Sequence, residues 1–173
     1  MNHTDAEILF AESQRFKQWW VWLMLLGFNS LFLFGVYKQV LGGHQFGDKP
    51  MSNEGLLFAT VFNILLTISF YLFRLKTQIK TDGIYVRFFP FHLSFKHFSW
   101  ENISKSFVRQ YNPLGEYGGW GLRFGLFGKG KAYNVSGDQG LQLVFSDNKK
   151  LLIGTQKPEE LEETLNEIGQ LKK

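Results

Sequence analysis

Residues 55–91 read GLLFATVFNILLTISFYLFRLKTQIKTDGIYVRFFPF, and the spacing of the apolar residues changes within this stretch. Residues 55–73 carry no charge and are close to the roughly 20 apolar residues that a helix needs to cross a bilayer. From residue 74 onward apolar and polar residues alternate, which is typical of strands. Asp82 and Gly83, between two β-rich runs, indicate a hairpin turn. The stretch therefore predicts a membrane helix that leads directly into a β-domain.

Another uncharged span, WWVWLMLLGFNSLFLFGVY, lies earlier in the chain at residues 19–37. In chain order, residues 19–37 are the first span and residues 55–73 the second. Two such segments in 173 residues predict a transmembrane helical hairpin rather than two buried helices. The N-terminus lacks the short basic start and the small-residue cleavage site of a signal peptide, so we expect an uncleaved anchor. Asn29 and Asn63 lie inside the two spans. In hydrocarbon each amide would bond across the helix pair, to its own backbone or to a water.

The basic residues that flank the spans predict the orientation of the hairpin. Arg15 and Lys17 precede the first span, and Arg74, Lys76 and Lys80 follow the second. By the positive-inside rule both termini and the β-domain lie on the cytoplasmic side of the cell (inner) membrane. An aromatic belt at that interface would contain Trp19, Trp20, Trp22 and Tyr71.

The predicted fold class is α+β, with three parts. Residues 1–18 form a cytoplasmic segment that starts with a capping-box spacing at Thr4–Glu7, which predicts a helix. Residues 19–75 form the transmembrane hairpin. Residues 76–173 contain about seven short strand-like runs, which predict an antiparallel barrel or sandwich. Pro158, the acidic residues after it and the spacing of Leu161 and Leu165 predict a C-terminal amphipathic helix.

Three stretches carry a resemblance to a known family: KTQIKTDGIYVRFFPF (76–91), SWENI (99–103) and LLIGTQKPEELEETL (151–165). With the hairpin, this arrangement resembles the bacterial membrane proteins that carry a pleckstrin-homology-like (PH-like) domain. The resemblance covers residues 75–170 and implies a non-catalytic module. Phosphoinositide-binding members have basic residues around the first hairpin loop. Here Asp82 lies in that loop, and its charge would repel a phosphate.

The residue types give no indication of an enzyme or of a cofactor. The chain has no cysteine, which excludes disulfides, thiolate metal sites and cysteine nucleophiles. His92 and His97 fall on opposite faces of a strand, and no histidine cluster has metal-ligand spacing. GKGK at residues 128–131 lacks the pattern of a phosphate-binding loop. We therefore expect no catalytic residue, no metal, no cofactor and no small-molecule substrate.

Positive charge is concentrated in the β-domain. Residues 76–157 carry twelve lysines and arginines against five acidic residues. Such a domain could bind nucleic acid or an anionic membrane, and the two apolar spans favour the membrane. The predicted contacts with anionic lipid are Arg74, Lys76, Lys80, Lys129 and Lys131.

The stretch EYGGWGLRFG at residues 116–125 has two interpretations. Trp120, Leu122 and Phe124 alternate like the core face of a strand, and Gly118-Gly119 could turn the chain with positive φ. Barrel geometry leaves Glu116, Tyr117 and Arg123 unexplained, so these three are the predicted partner-binding residues.

The sequence predicts a non-enzymatic, membrane-anchored module that presents a protein-interaction surface at the cytoplasmic face. The first alternative is a sensor of anionic lipid headgroups. The second is a small accessory subunit of a transport or envelope complex, bound through Asn29 and Asn63. The identity of the protein partner and the oligomeric state are left open.

Overall fold

The computed structural model describes residues 7–125 and 128–172. The chain divides into two compact units. One is helical and contains Lys17–Leu72. The other is β-rich and combines the residues up to Phe16 with those from Phe73 onward. The helical unit is therefore an insertion in the sequence of the β-rich unit.

The helical unit contains the two predicted spans. Helix α1 covers Trp19–Val36 and continues as a π-helical turn over Tyr37–Leu41, and α2 covers Asn53–Leu72. The 20 residues of α2 give a length of about 30 Å, the thickness of a hydrocarbon core. Both helices are long and apolar enough to span a membrane. Most of their large apolar side chains are exposed, as Phe58 and Leu23 are, whereas the core helix of a soluble protein buries such side chains.

A narrow stripe packs α1 against α2. The stripe contains Leu25 and Gly35 on α1, and Leu56 and Asn63 on α2. A side chain at position 35 would meet the ring of Phe46 at 2.9 Å, so glycine permits a close approach there.

The described part of the β-rich unit contains nine strands in two sheets. The strands are β1 Ile8–Arg15, β2 Arg74–Lys80, β3 Gly83–Phe89, β4 Lys96–Ser99, β5 Ile103–Gln110, β6 Gly121–Phe124, β7 Lys131–Asn134, β8 Gln139–Phe145 and β9 Lys150–Gly154. The first sheet has the order β1-β2-β3-β4, and the second has the order β5-β8-β9-β7-β6. A short helix α3 (Pro113–Tyr117) precedes β6, and helix α4 (Pro158–Glu167) ends the fold. Helix α4 packs against β1, β5 and β8.

Several local predictions are confirmed. The β2–β3 hairpin turns at Thr81-Asp82, with Lys80 opposite Gly83. Partly exposed and buried residues alternate along β2 as predicted, and Leu75 and Ile79 are buried. The turn expected near SWENI is a single 3-10 turn at Trp100–Asn102. Helix α4 starts at Pro158 and buries the predicted Leu161 and Leu165.

Other predictions are wrong. Residues 8–15, expected to continue an N-terminal helix, form strand β1, which pairs antiparallel with β2. Sheet pairing is not wholly antiparallel, because β7 and β9 are parallel. In the described residues, no strand pairing joins the two sheets into a closed barrel. Phe124 is 68% exposed, so the alternation from Trp120 to Phe124 does not mark a core face.

Two polar side chains fix β1 to the second sheet. Glu12 and Gln14 point inward, although both are polar, and both are buried. The Glu12 carboxylate accepts hydrogen bonds from Thr155 Oγ1 (2.7 Å) and from the backbone N–H of Gln156 (2.8 Å). Gln14 Nε2 donates to the carbonyl of Gly154 at 2.6 Å. These bonds give partners to the carbonyl of the last residue of β9 and to the backbone N–H of Gln156, where regular pairing ends.

Candidate docking groove

An open groove of about 820 Å³ lies between β4 and one end of the second sheet, and we call it the lysine groove. Its basic lining residues are Lys96, Lys131, Lys149 and Lys150. Its apolar lining residues are Phe98, Phe124, Tyr133, Phe145 and Leu151. The surface therefore combines an aromatic floor with a positively charged rim.

The groove exists because two edge strands are left without partners on one side. Strand β4 pairs with β3, and no described strand pairs with its other edge. Strand β6 likewise pairs with β7 alone among the described residues. The Phe98 and Phe145 rings, 5.4 Å apart, connect the two sheets across the groove. Lys96 Nζ lies 5.9 Å from the centre of the Tyr133 ring and connects them a second time.

The charge of the groove favours an anionic occupant. Asp147 is the one acidic residue among the described lining residues, and Lys149 Nζ already pairs with it at 2.7 Å. Lys131 Nζ lies 5.5 Å from the centre of the exposed Phe124 ring. Lysine ammonium groups form charge-assisted hydrogen bonds with carboxylates and phosphates.

Tyr117, predicted as a partner-binding residue, is buried in the structure. Its side chain is 2% exposed and packs edge-on against Tyr111, with ring centres 5.9 Å apart. Its hydroxyl lies 3.4 Å from the carbonyl oxygen of Lys129 and donates to it. Burial raises the pKa of this hydroxyl. Tyr117, the last residue of α3, belongs to a core cluster with Tyr111, Ala132 and Leu152.

Glu116 is half-buried and already has partners. Arg109 donates to both of its carboxylate oxygens, at 3.1 and 2.8 Å. The backbone N–H of Asn112 donates to it at 2.9 Å, and Lys129 Nζ lies 3.7 Å away. The hydrogen bond from Arg109 is the main reason that the pKa of Glu116 falls to about 2. The Arg109–Glu116 pair holds α3 on β5. Glu116 therefore has a role within the fold that does not require a partner protein.

Arg123 remains a surface residue. It lies on the edge strand β6, is exposed, and donates from Nε to the Trp120 carbonyl at 2.9 Å. The glycines before it end α3, because Gly118 has φ 67° and its N–H donates to the Leu114 carbonyl. Positive φ at Gly118 and Gly119 confirms the predicted turn.

Helix α3 was not predicted, although a signal for it exists. Asn112 precedes Pro113, and its side-chain oxygen accepts from Gly115 N–H at 2.9 Å. Asparagine at the N-cap followed by proline at the first helical position is a common helix start.

The predicted lipid-contact residues separate into two groups. Arg74, Lys76 and Lys80 lie on β2 and alternate with buried residues, so they share the outer face of the first sheet. Lys129 lies next to Glu116, and Lys131 lines the lysine groove.

Asn29 and Asn63 have different environments in the helical unit. Asn29 Nδ2 donates to the Leu25 carbonyl at 2.8 Å and to Thr67 Oγ1 at 2.7 Å, so it bonds both its own helix and α2. Asn63 is buried, and its Nδ2 has no acceptor among the described residues. The two amides do not bond each other in the described structure.

The groove residues on β4 and at the β8–β9 turn were not predicted as a site. Lys149 and Lys150 are adjacent in the sequence, but their position opposite Lys96 depends on how the two sheets pack. The described residues contain no group of three histidine, cysteine or acidic side chains placed to hold a metal ion. Comparison of the chain with protein-family models, with curated proteins and with solved structures finds no match.

Proposed function

We propose that this chain is a non-enzymatic module, anchored in the cytoplasmic membrane by α1 and α2, that binds a protein partner in the lysine groove. The open groove between unpaired edge strands is the observation that carries the proposal. Its occupant is an extended, acidic segment of another protein.

Membrane anchoring is supported by the length and apolar surface of the two helices. The register of the first sheet adds support, because Arg15 before α1 lies opposite Arg74 after α2. Both ends of the inserted helical unit therefore join the same end of one sheet. A hairpin that crosses the bilayer twice needs both of its ends on one side, and the flanking arginines favour the cytoplasmic side.

The β-rich unit is proposed to be a variant of the PH-like fold. Two sheets with a C-terminal helix packed against them support this. The strand β1 ahead of the helices and the parallel β7–β9 pair are departures from an arrangement of about seven antiparallel strands.

An extended peptide suits the groove for two reasons. The edge of β4 that no other described strand pairs with can receive an added strand through main-chain hydrogen bonds. Lys96, Lys131 and Lys150 would attract carboxylates of that strand, and the aromatic lining residues would contact its apolar side chains.

Photo-crosslinking tests this function. A photo-reactive phenylalanine derivative replaces Phe124 in the full chain, and a control variant carries it at Leu114, which is similarly exposed outside the groove. We expect a discrete protein adduct from position 124 alone. The adduct should disappear when Lys131 and Lys150 are both changed to glutamate, and an acidic peptide should compete for it. Equal adducts at both positions, or adducts insensitive to the charge reversal, would refute the proposal.

The second candidate is a sensor of anionic lipid headgroups, which the lysine rim also favours. The same crosslinking experiment distinguishes this sensor from a protein-binding module, because a sensor would give only lipid adducts at position 124. The accessory-subunit alternative has less support, since Asn29 bonds within the hairpin and Asn63 is buried there.

A further inference from the structure

The loop between β3 and β4 exposes two large apolar side chains at its tip. Phe91 is 58% exposed, and Leu93 is 79% exposed, more than any other large apolar side chain in the described residues. Neighbouring exposed apolar side chains of this size mark a contact with protein or lipid.

The base of this loop is fixed by several contacts. The backbone N–H of His92 donates to the Phe88 carbonyl at 2.8 Å, and Phe88 N–H donates back to His92 Nδ1 at 3.3 Å. The His92 ring packs edge-on against Tyr133, with ring centres 5.1 Å apart. Arg87 Cζ lies 4.9 Å from the centre of the Phe95 ring. The exposure of the tip is therefore a property of an ordered turn.

The loop contacts Phe73, the residue of the β-rich unit at which the chain returns from the helical unit. The Phe91 ring stacks on Phe73, with centres 5.5 Å apart and planes 29° apart. Phe73 directly follows Leu72, the last residue of α2. Phe16, which lies 5.9 Å from Phe73 by ring centres, comes shortly before the start of α1. Phe91 therefore contacts the residue at which the chain leaves its second apolar span.

Basic residues surround the same end of the first sheet. Arg15 lies opposite Arg74 across β1 and β2, and Lys76 lies opposite Arg87 across β2 and β3. Like charges directly opposite each other destabilise a sheet. Anionic groups bound to a surface with four such residues offset the repulsion between them and stabilise it.

We propose that the β3–β4 loop inserts Phe91 and Leu93 into the boundary between headgroups and acyl chains of the bilayer. The leaflet is the one where both ends of the hairpin emerge, and its anionic lipids contact these four basic residues at the end of the first sheet. This inference rests on the proposed membrane anchoring. The loop is thus a third attachment point, which fixes how the β-rich unit faces the membrane.

The position of the loop beside Phe73 favours lipid as its occupant. If α2 crosses the bilayer, Phe73 lies at the interface because it is bonded to the last helical residue, and the stacked Phe91 lies at a similar depth. Aromatic rings and arginines are the residues that favour this depth.

Depth-dependent quenching tests the inference with the full chain in vesicles of phosphatidylcholine and phosphatidylglycerol. The chain has no cysteine, so single-cysteine variants at Leu93, Leu114 and Leu31 can each carry one fluorophore without background. Leu114 is the exposed control in α3, and Leu31 reports on the middle of α1. Lipids with nitroxides at shallow or deep positions serve as quenchers.

We expect shallow nitroxides to quench the probe at position 93, deep nitroxides to quench the probe at position 31, and neither to quench the probe at position 114. Quenching at 31 without quenching at 93 overturns the loop insertion and leaves the anchoring intact. Absence of quenching at both positions overturns the anchoring, and the inference with it. A blue-shifted probe at 93 that no lipid quenches would mean that a protein or a second copy covers the loop.

A charge variant tests the role of the basic residues separately. Changing Lys76 and Arg87 to glutamine should reduce the shallow quenching at position 93 in vesicles that contain phosphatidylglycerol. In vesicles of phosphatidylcholine alone the same change should have little effect. Equal effects in the two vesicle types would contradict the electrostatic part of the inference.

Discussion

Arg15 and Arg74 lie directly opposite each other in neighbouring antiparallel strands, and the chain between them contains the whole helical unit. The β1–β2 pairing therefore brings together the points at which the chain leaves the β-rich unit and returns to it.

Glu12 should contribute strongly to the stability of the β-rich unit. Changing Glu12 to alanine removes the acceptor for Thr155 Oγ1 and for Gln156 N–H, both of which lie at a buried or half-buried junction. Loss of these charge-assisted bonds should lower the free energy of unfolding by about 2–3 kcal/mol. Urea unfolding of the full chain in detergent micelles measures this. The control is Ser13→Ala on the exposed face of β1, which should stay within about 0.5 kcal/mol. Equal midpoints for the two variants would contradict the assignment.

His92 should make stability depend on pH. Burial, together with the neighbouring Lys96 and Lys131, lowers the pKa of His92 below its ordinary value of 6.5. Between the lowered pKa and 6.5 the unfolded chain binds a proton that the folded chain does not, so stability falls as the pH falls through this window. The stabilisation that comes from keeping His92 neutral is fully present above pH 6.5. Protonation at Nδ1 would also remove the acceptor for Phe88 N–H.

The measurement for His92 compares unfolding midpoints between pH 8 and pH 5 for the wild type and for His92→Gln. Glutamine retains an acceptor oxygen and does not titrate, so its curve should be flatter. Subtracting the two curves removes the contribution of the other histidines. Parallel curves would show that His92 does not carry the effect.

Gly130 should be far less replaceable than Gly137. Both have positive φ, 83° and 76°, but a Cβ at position 130 would overlap the carbonyl oxygen of Lys150, whereas position 137 opens to empty space. Gly137→Ala should cost about 1–2 kcal/mol for the left-handed backbone alone. Gly130→Ala adds the overlap with β9 and should cost about 3–4 kcal/mol. Thermal unfolding of the two variants measures the difference, and similar melting temperatures would argue against the β7–β9 contact.

Asn29 and Asn63 should differ when each is replaced by leucine. Asn29→Leu removes the bond to Thr67 and should weaken the helix pair by about 0.6 kcal/mol, a typical value for hydrogen bonds in membranes. Asn63→Leu removes a buried amide whose Nδ2 has no acceptor in the described part of the chain, so it should be neutral or stabilising. Thr67→Val is a matched test of the same bond from the other helix. A larger loss for Asn63→Leu than for Asn29→Leu would contradict the geometry.

Sequence patterns predicted the features that depend on neighbours in the chain. Two uncharged runs predicted α1 and α2, because helix formation and apolar length are local properties. Asp82-Gly83 predicted the β2–β3 turn, and Pro158 with Leu161 and Leu165 predicted α4, for the same reason. The start of α3 is likewise a local signal, because Asn112 caps the helix and Pro113 follows it.

Tertiary structure alone decided the features that join distant segments. Residues 8–15 form a strand because β2 pairs with them across the whole inserted hairpin, and Glu12 and Gln14 face inward because their partners lie between β9 and α4. Tyr117 is buried because α3 folds back onto Tyr111, which no local alternation reveals. The lysine groove and the stacking of Phe91 on Phe73 depend likewise on packing between segments far apart in the chain. Residue periodicity determines which face of an element is apolar, whereas the partner that covers that face depends on non-local pairing, which periodicity does not encode.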